Sequence, residues 1–345
     1  MFKAKTLIKF RSMWMAVAIL WIVLFHSILS FNSNFVMAIK TIGYGGVDIF
    51  LFASGLGCYF SYSKVNNSYD FIVRRVHKIV PMYIIFMIFY VGNKLGTGIT
   101  LKEIVGNFLS IGSLANLENQ FNWYVSCMWL FYFFVPYIYG WITGRGYRYI
   151  RYFLIIALAL LVSLLYTKYS GMIIIMSRAP VFIMGMCLGD YSKNKEEISI
   201  MAVIMSFCAM IVGFMGLFYF KINYDEYLWD YALYWYPFIL IVPGLCLIIS
   251  FFGHLMEKVG GVGKTITRIM NKLGENTFPV YLSHILIFEI YSKRFLNRHI
   301  VAETNFNTMI AILCIVPATL ILIQFERFVR KCRELLLIKN YNYGK

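Results

Sequence analysis

Charged residues are scarce in this sequence. They make up 14% of the 345 residues, whereas an ordinary soluble domain has roughly 25%. Hydrophobic residues make up 60% of the chain, and its mean hydropathy is +0.70. This composition excludes a water-soluble fold, because so much apolar surface has to be covered by lipid. We therefore expect one membrane domain over residues 1–345 and no soluble domain.

Paired cysteines and metal-binding motifs are also missing. The seven cysteines lie singly along the chain, mostly within apolar runs, and none forms a CxxC or Cys/His spacing typical of a metal site. The sequence predicts packing roles for these cysteines, no metal and no permanently bound cofactor. It also contains no internal repeat and no inverted pair of interrupted helices.

The net charge of +16 would indicate nucleic-acid binding in a soluble protein. Here the Lys and Arg residues lie in short patches between apolar runs, so they do not form one continuous basic face. We attribute them to membrane topology and expect no nucleic-acid partner. If the N-terminus is cytoplasmic, most of these residues fall on the cytoplasmic side, which predicts that both termini are cytoplasmic. The basic patch at residues 293–298 is an exception, because this topology puts it outside.

Apolar runs of roughly 20 residues, the length that spans a bilayer as a helix, recur from end to end. They predict an all-α polytopic membrane protein with about ten transmembrane helices. The first run is longer than a typical signal-peptide core and predicts a retained helix. The predicted spans cover residues 12–31, 43–63, 72–92, 121–142, 150–167, 171–189, 198–220, 230–252, 277–292 and 307–326.

A few ionisable residues lie within these spans, where each is costly unless it is paired or hydrated. They are His26, Asp48, Arg178, His284 and Glu289. His26 and Asp48 are each about five residues from the outer end of a span, which predicts a similar depth. A carboxylate beside an imidazole orients the ring and increases its basicity, as a general base requires. The alternative is a buried polar pair that only holds two helices together.

The second candidate site is FIVRRVHKIVP, residues 71–81, at the cytoplasmic start of the third span. Arg74, Arg75 and Lys78 lie close together near a helix N-terminus, whose amides and dipole favour anions. This arrangement predicts a phosphate-binding site. Positive-inside anchoring of the helix explains the same charges equally well.

Three further residues are candidates for substrate binding. Arg178 lies mid-span and needs an anionic partner, either a substrate phosphate or a carboxylate such as Glu289. A purely structural ion pair is the alternative. His284 is predicted as another acid or base or, more simply, as a histidine hydrogen-bonded to a neighbouring helix. Trp123, at the outer end of the fourth span, is also what an aromatic belt would place there.

Several segments, in order along nearly the whole chain, are similar to one family of membrane proteins. They are AILWIVLFHS around His26, GYGGVDIFLFASG around Asp48, FIVRRVHKIVPMY from Phe71, FNWYVSCMWLFYFFVPYI from Phe121, SRAPVFIMG around Arg178 and LGENTFPVYLSHILIF from Leu273. The first three, in consecutive predicted helices, are the specific part of the pattern. On these segments the chain resembles the integral-membrane acyltransferase type 3 family, which acylates cell-surface carbohydrates in bacteria.

The resemblance implies a membrane O-acyltransferase of the bacterial cytoplasmic membrane. It implies a cytoplasmic acyl-coenzyme A, usually acetyl-coenzyme A, as co-substrate and donor. The implied acceptor is a hydroxyl group of a surface saccharide or lipid-linked glycan, and membrane lipid surrounds the chain. On this interpretation His26 is the catalytic base, Asp48 supports it, and Arg75 with Lys78 binds the donor.

The chain departs from the family pattern at two positions. The family commonly has an arginine eleven residues before the histidine; that position is Met15 here, and Arg11 lies one helical turn earlier on the same face. Lys78 stands where the family usually has an arginine. Lysine keeps the positive charge but cannot form the bidentate hydrogen bonds of a guanidinium. Fused relatives carry a second catalytic module, so this chain would finish the transfer itself or hand over to a partner.

Two other functions fit the same residues. A transporter or flippase for an anionic lipid or sugar would use Arg178 and the basic turn as substrate contacts. A non-catalytic assembly subunit of an envelope complex would need neither His26 nor Asp48.

Overall fold

Most of the chain is α-helical in the computed structural model, which describes residues 2–95, 99–112, 122–166, 170–194, 197–224, 227–228, 230–291 and 304–343. The helices are α1 (Ala4–Lys9), α2 (Arg11–His26), α3 (Asn34–Thr41), α4 (Gly46–Val65), α5 (Ser68–Lys94), α6 (Leu101–Phe108), α7 (Trp123–Thr143), α8 (Arg148–Leu164), α9 (Ser170–Met176), α10 (Ala179–Asn194), α11 (Ile200–Asn223), α12 (Phe238–Val259), α13 (Gly261–Glu275), α14 (Thr277–Tyr291) and α15 (Thr304–Tyr343). A turn of 3-10 helix, Gly43–Gly45, precedes α4, and two short strands, β1 (Phe2–Lys3) and β2 (Glu197–Ile198), pair antiparallel. The basic patch at residues 293–298 lies outside the described residues.

These helices confirm an all-α membrane protein. Six helical segments of the described chain are long and apolar enough to cross a membrane. They are Asn34–Val65, Trp123–Thr143, Gly171–Asn194, Ile200–Asn223, Phe238–Val259 and Asn305–Lys331. Each of the other predicted spans also contains a helix, but α2 and α14 have only 16 and 15 residues. The helix α5 carries several charged residues in its first turns.

Two predicted span boundaries are wrong. The helix α2 ends at His26 and not at residue 31, because Ser27 is extended and its hydroxyl donates to the Leu24 carbonyl at 2.6 Å. His26 is therefore the last residue of its helix. The apolar run predicts that the eighth span starts at residue 230, whereas α12 starts at Phe238, directly after Pro237. A proline has no N–H for an interior helical hydrogen bond, so it favours a helix start.

The predicted sixth span is divided into α9 and α10 by Ser177 and Arg178. Pro180 lies in the first turn of α10, where its missing N–H is tolerated because first-turn amides have no partner within the helix. Arg178 therefore immediately precedes a helix, and its side chain is only 2% exposed.

The helices α4 and α10 approach each other closely through a glycine on each side. A Cβ atom at Gly55 would collide with the Phe182 carbonyl, and one at Gly185 would collide with the Phe52 carbonyl. Small residues allow two membrane helices to bring their backbones together. This packing positions α4 against the start of α10, where the candidate site lies.

Candidate active site

Most of the predicted site residues line two cavities of the helical bundle, each of about 710 Å³. The first, here called the basic cavity, is lined by the cationic residues Arg11, Arg75, Lys78, Arg327, Arg330 and Lys331, among others. The second, here called the histidine cavity, is lined by His26, His284, Arg178, Trp123 and Trp235, among others. One side chain, Tyr281, lines both cavities.

Four helices run past both cavities. The helices α2 and α14 run from the basic cavity to the histidine cavity, and α4 and α7 run the opposite way. Each of these helices contributes residues to both linings. Those in the basic cavity include Arg11 of α2, Cys58 of α4, Tyr132 of α7 and Phe278 of α14. Those in the histidine cavity include His26 of α2, Val47 of α4, Trp123 of α7 and His284 of α14. The two cavities therefore lie at two depths along the same helices.

Arginine side chains supply much of the positive charge of the basic cavity. The Arg11 Nε donates to the Ala53 carbonyl at 2.7 Å. The Arg75 guanidinium lies over the rings of Phe71 and Tyr132, with 5.0 and 5.3 Å to their centroids. The Nε of Arg75 is buried and has no hydrogen-bond partner within the described part of the chain. A buried N–H without a partner is costly, so a bound anion would be stabilised here.

Arg74 is the predicted donor-binding residue that the structure does not bring to this cavity. It is exposed on α5 and does not line the basic cavity, whereas Arg11, Arg75 and Lys78 all do. Each residue turns a helix by about 100°, so adjacent arginines point in different directions. Met15, the position of the usual family arginine, lines the same cavity as Arg11.

His26 and His284 form the polar centre of the histidine cavity. The His26 Nδ1 lies 3.1 Å from the Ile22 carbonyl and 3.3 Å from Nε2 of His284. The His284 Nδ1 lies 3.3 Å from the Val280 carbonyl. A carbonyl only accepts, so we assign the proton of each ring to Nδ1. Nε2 of His284 then accepts from His26, and Nε2 of His26 keeps a free lone pair.

Both histidines line the cavity, but His26 is exposed whereas His284 is completely buried, so the His26 ring is the more accessible of the two. Because His26 ends α2, the negative end of the helix dipole also favours a positive charge on its imidazole. The ring is thus oriented for proton uptake at Nε2.

The predicted pairing of Asp48 with His26 is wrong. Asp48 is completely buried, and its carboxylate faces the Arg178 guanidinium, with 3.4 Å between Oδ1 and Nε. Neither carboxylate oxygen forms a hydrogen bond to another described residue. Asp48 is the third residue of α4, and the close packing of α4 on α10 turns it toward Arg178. The residue that contacts His26 instead is His284.

Arg178 is held on several sides. Its guanidinium lies between the rings of Trp123 and Trp235, at 4.8 Å from each centroid. Its Nη1 donates to the Ile174 carbonyl at 2.8 Å. The predicted carboxylate partner, Glu289, is paired with Lys94 instead. Arg178 therefore has a structural ion pair and two cation–π contacts, and it still lines the histidine cavity.

A polar cluster fixes the start of α7 and with it Trp123. The Asn122 Nδ2 donates to the Asn107 carbonyl at 2.9 Å and to the Tyr83 hydroxyl at 2.5 Å. Asn107 lies on α6 and Tyr83 on α5, and both are buried. Buried amides need such partners, so this cluster specifies one position for Trp123.

Trp235 and Tyr281 also line the histidine cavity, although no sequence motif indicates a role for them. Trp235 lies in the turns before α12, where the apolar run had predicted a helix. Tyr281 is three residues before His284 on α14, so the two side chains share a helix face. That spacing is a signal from which Tyr281 could have been predicted.

A family model described as an acyltransferase domain matches residues 16–325. The matched region includes His26, Asp48, Arg178 and His284, but not Arg11. No curated protein and no solved structure matches the chain. Among the residues that the structure describes, no group of three or more His, Cys, Asp or Glu side chains could hold a metal ion.

Proposed function

Since the chain belongs to the acyltransferase family, whose model covers residues 16–325, we propose that it is an O-acetyltransferase acting across a membrane. Its donor is a cytoplasmic acyl-coenzyme A, with acetyl as the usual acyl group. Its acceptor is a hydroxyl group of a surface saccharide or lipid-linked glycan. The observation that carries the proposal is the pair of cavities at two depths along the same helices. A polyanionic donor and a sugar acceptor on opposite sides of a membrane require two such sites.

We place the basic cavity on the cytoplasmic side of the bacterial cytoplasmic membrane. Loops rich in Lys and Arg are retained on that side, and Arg11, Arg75 and Arg327 all line this cavity. This orientation makes both termini cytoplasmic. The helices α2, α5, α8 and α14 then cross the membrane in addition to the six long apolar segments, giving about ten spans.

The basic cavity would bind the phosphates of coenzyme A. Arg11, Arg75 and Lys78 supply the positive charge, and the unused Nε of Arg75 supplies a donor for a phosphate oxygen. Lys78 binds phosphate as a point charge, whereas the arginines offer a planar fork. Coenzyme A would leave by the same route, on the cytoplasmic side.

In the proposed reaction, His26 is the general base. Its Nε2 takes the proton of the acceptor hydroxyl as that oxygen attacks the thioester carbonyl carbon. A C–O bond forms and the C–S bond breaks, and the sulfur leaves with the proton returned from His26. The chemistry needs no acyl-enzyme intermediate.

His284 is a positioning residue in this scheme. By accepting a hydrogen bond from Nδ1 of His26, it holds the imidazole with Nε2 toward the cavity and stabilises the imidazolium that forms. Asp48 acts through Arg178, which it holds by an ion pair. Arg178 and Trp123 would contact the acceptor, with the indole ring as a stacking surface for a sugar.

The test measures transfer of labelled acetyl groups from acetyl-coenzyme A in membranes of the native cell, which contain the acceptor. Wild type should transfer label to a saccharide or lipid fraction, and His26→Ala should abolish this transfer. The matched control is His254→Ala on α12, which lines neither cavity and should keep the activity. Full transfer by His26→Ala would contradict the assigned base. No transfer by wild type, with movement of labelled lipid or sugar across vesicles, would favour the transporter.

A further inference from the structure

The helix α14 connects the two cavities along its length. Thr277 and Phe278 line the basic cavity, and His284 and Phe288 line the histidine cavity. At 1.5 Å per residue, Phe278 and His284 are separated by only about 9 Å along the helix. Tyr281 lies midway between them and lines both cavities. At this point of α14 one side chain therefore borders both cavities.

The ring of Tyr281 is packed between two other rings. Its centroid lies 5.1 Å from that of Tyr124 and 5.5 Å from that of His284. Tyr124 in turn lies 6.1 Å from Phe50, and both of these line the basic cavity. Rings at such distances are in contact. Tyr281 is only 5% exposed. We call the Tyr124 and Tyr281 rings the tyrosine junction.

We propose that the tyrosine junction determines the size of the acyl group that the protein transfers. This inference rests on the proposed function, in which a thioester enters from the basic cavity and reacts beside His26. Because Tyr281 lines both cavities, a thioester that reaches His26 from the basic cavity passes the Tyr281 ring. The ring thus occupies the space that a branched acyl group would need, and acetyl fits beside it.

Replacement of the ring by a methyl group should enlarge this space. Core helices relax only partly around a truncated side chain, so a buried ring leaves a cavity behind. An apolar cavity of this kind accepts an apolar ligand group. The added space is that of the deleted ring, so transfer should increase for branched acyl groups and not for acetyl, which already fits.

The experiment compares acetyl-coenzyme A with isobutyryl-coenzyme A, each labelled in the acyl carbon, in native-cell membranes in which variants replace the wild-type chain. The readout is the ratio of isobutyryl to acetyl transfer. Tyr281→Ala, Tyr281→Leu and Tyr124→Ala should raise this ratio at least about tenfold, which is about 1.4 kcal/mol of discrimination. Tyr281→Phe, which keeps the ring, should keep the wild-type ratio. Phe288→Ala enlarges the histidine cavity away from the junction and should also leave the ratio unchanged.

The outcomes separate the two proposals. Absence of transfer by wild type from either donor would overturn the proposed function. Transfer of acetyl by wild type, with an unchanged ratio in all three truncated variants, would overturn the role of the junction alone. Loss of all transfer in all three would also overturn it, because the rings would then be needed for the reaction itself. An equal increase with Phe288→Ala would show that cavity volume in general, and not the junction, sets the preference.

Discussion

His26 Nδ1 lies 3.3 Å from Nε2 of His284, so two histidines from opposite ends of the chain share a hydrogen bond. Each ring is also tied to a carbonyl of its own helix, one turn back. Such a network fixes both tautomers and leaves a single free lone pair, on Nε2 of His26. The arrangement assigns His284 the orienting role that a carboxylate often has beside a catalytic histidine.

Replacement of His284 by Phe should lower kcat for acetyl transfer about 100-fold, a typical contribution of a well-placed acid or base. The KM for acetyl-coenzyme A should stay unchanged, because the residue does not line the basic cavity. His284→Gln should retain more activity, since its side-chain oxygen can accept from His26. Initial rates in membranes measure both constants. An unchanged kcat in His284→Phe would contradict the positioning role.

The ion pair between Asp48 and Arg178 should be visible in a double-mutant cycle. Asp48→Ala and Arg178→Ala each leave an unpaired buried charge and should destabilise the protein by about 3 to 5 kcal/mol. The double variant removes both charges, so it should be clearly more stable than the sum of the single effects predicts. Thermal unfolding in detergent provides the measurement. Additive effects would show that the two side chains do not interact.

The pairing of Asp48 with Arg178 instead of His26 shows what depth along a helix can and cannot predict. The apolar runs predict a similar depth for Asp48 and His26; in the structure His26 lines the histidine cavity, and Asp48 contacts it only through Arg178. Depth, however, does not fix the rotation of a helix, and one residue changes the direction of a side chain by about 100°. The rotation of α4 is set by its glycine contact with α10, which hydropathy does not reveal.

The donor site should respond to charge on one face of α5 only. Arg75→Gln should raise the KM for acetyl-coenzyme A about 10- to 100-fold, because a hydrogen bond to a charged group contributes about 1.5 to 3 kcal/mol. Arg74→Gln removes the same charge from the neighbouring residue, outside the cavity, and should change this KM little. Kinetics at varied donor concentration distinguish the two variants. Equal effects would indicate that the charges act on membrane anchoring instead.

The helices themselves are largely predictable, because a membrane requires long apolar segments whose backbone N–H and C=O groups form hydrogen bonds within the segment. Hydropathy alone does not show where a helix is shorter than its apolar run. Ser27 ends α2 early and Pro237 delays α12, and both changes are local backbone effects within apolar sequence. They bear on the proposed function because they place His26 at a helix end and Trp235 in a turn.

Trp235 should contribute to acceptor binding through Arg178. Its ring lies 4.8 Å from the guanidinium, and a cation–π contact contributes about 0.5 to 2 kcal/mol. Trp235→Ala should therefore raise the KM for the acceptor about 3- to 30-fold and leave the KM for acetyl-coenzyme A unchanged. Trp235→Phe keeps an aromatic face and should lose less. Trp141→Ala, on the exposed end of α7, is the control, and its KM values should match wild type. A larger effect of Trp235→Ala on the donor than on the acceptor would place the acceptor elsewhere than beside Arg178.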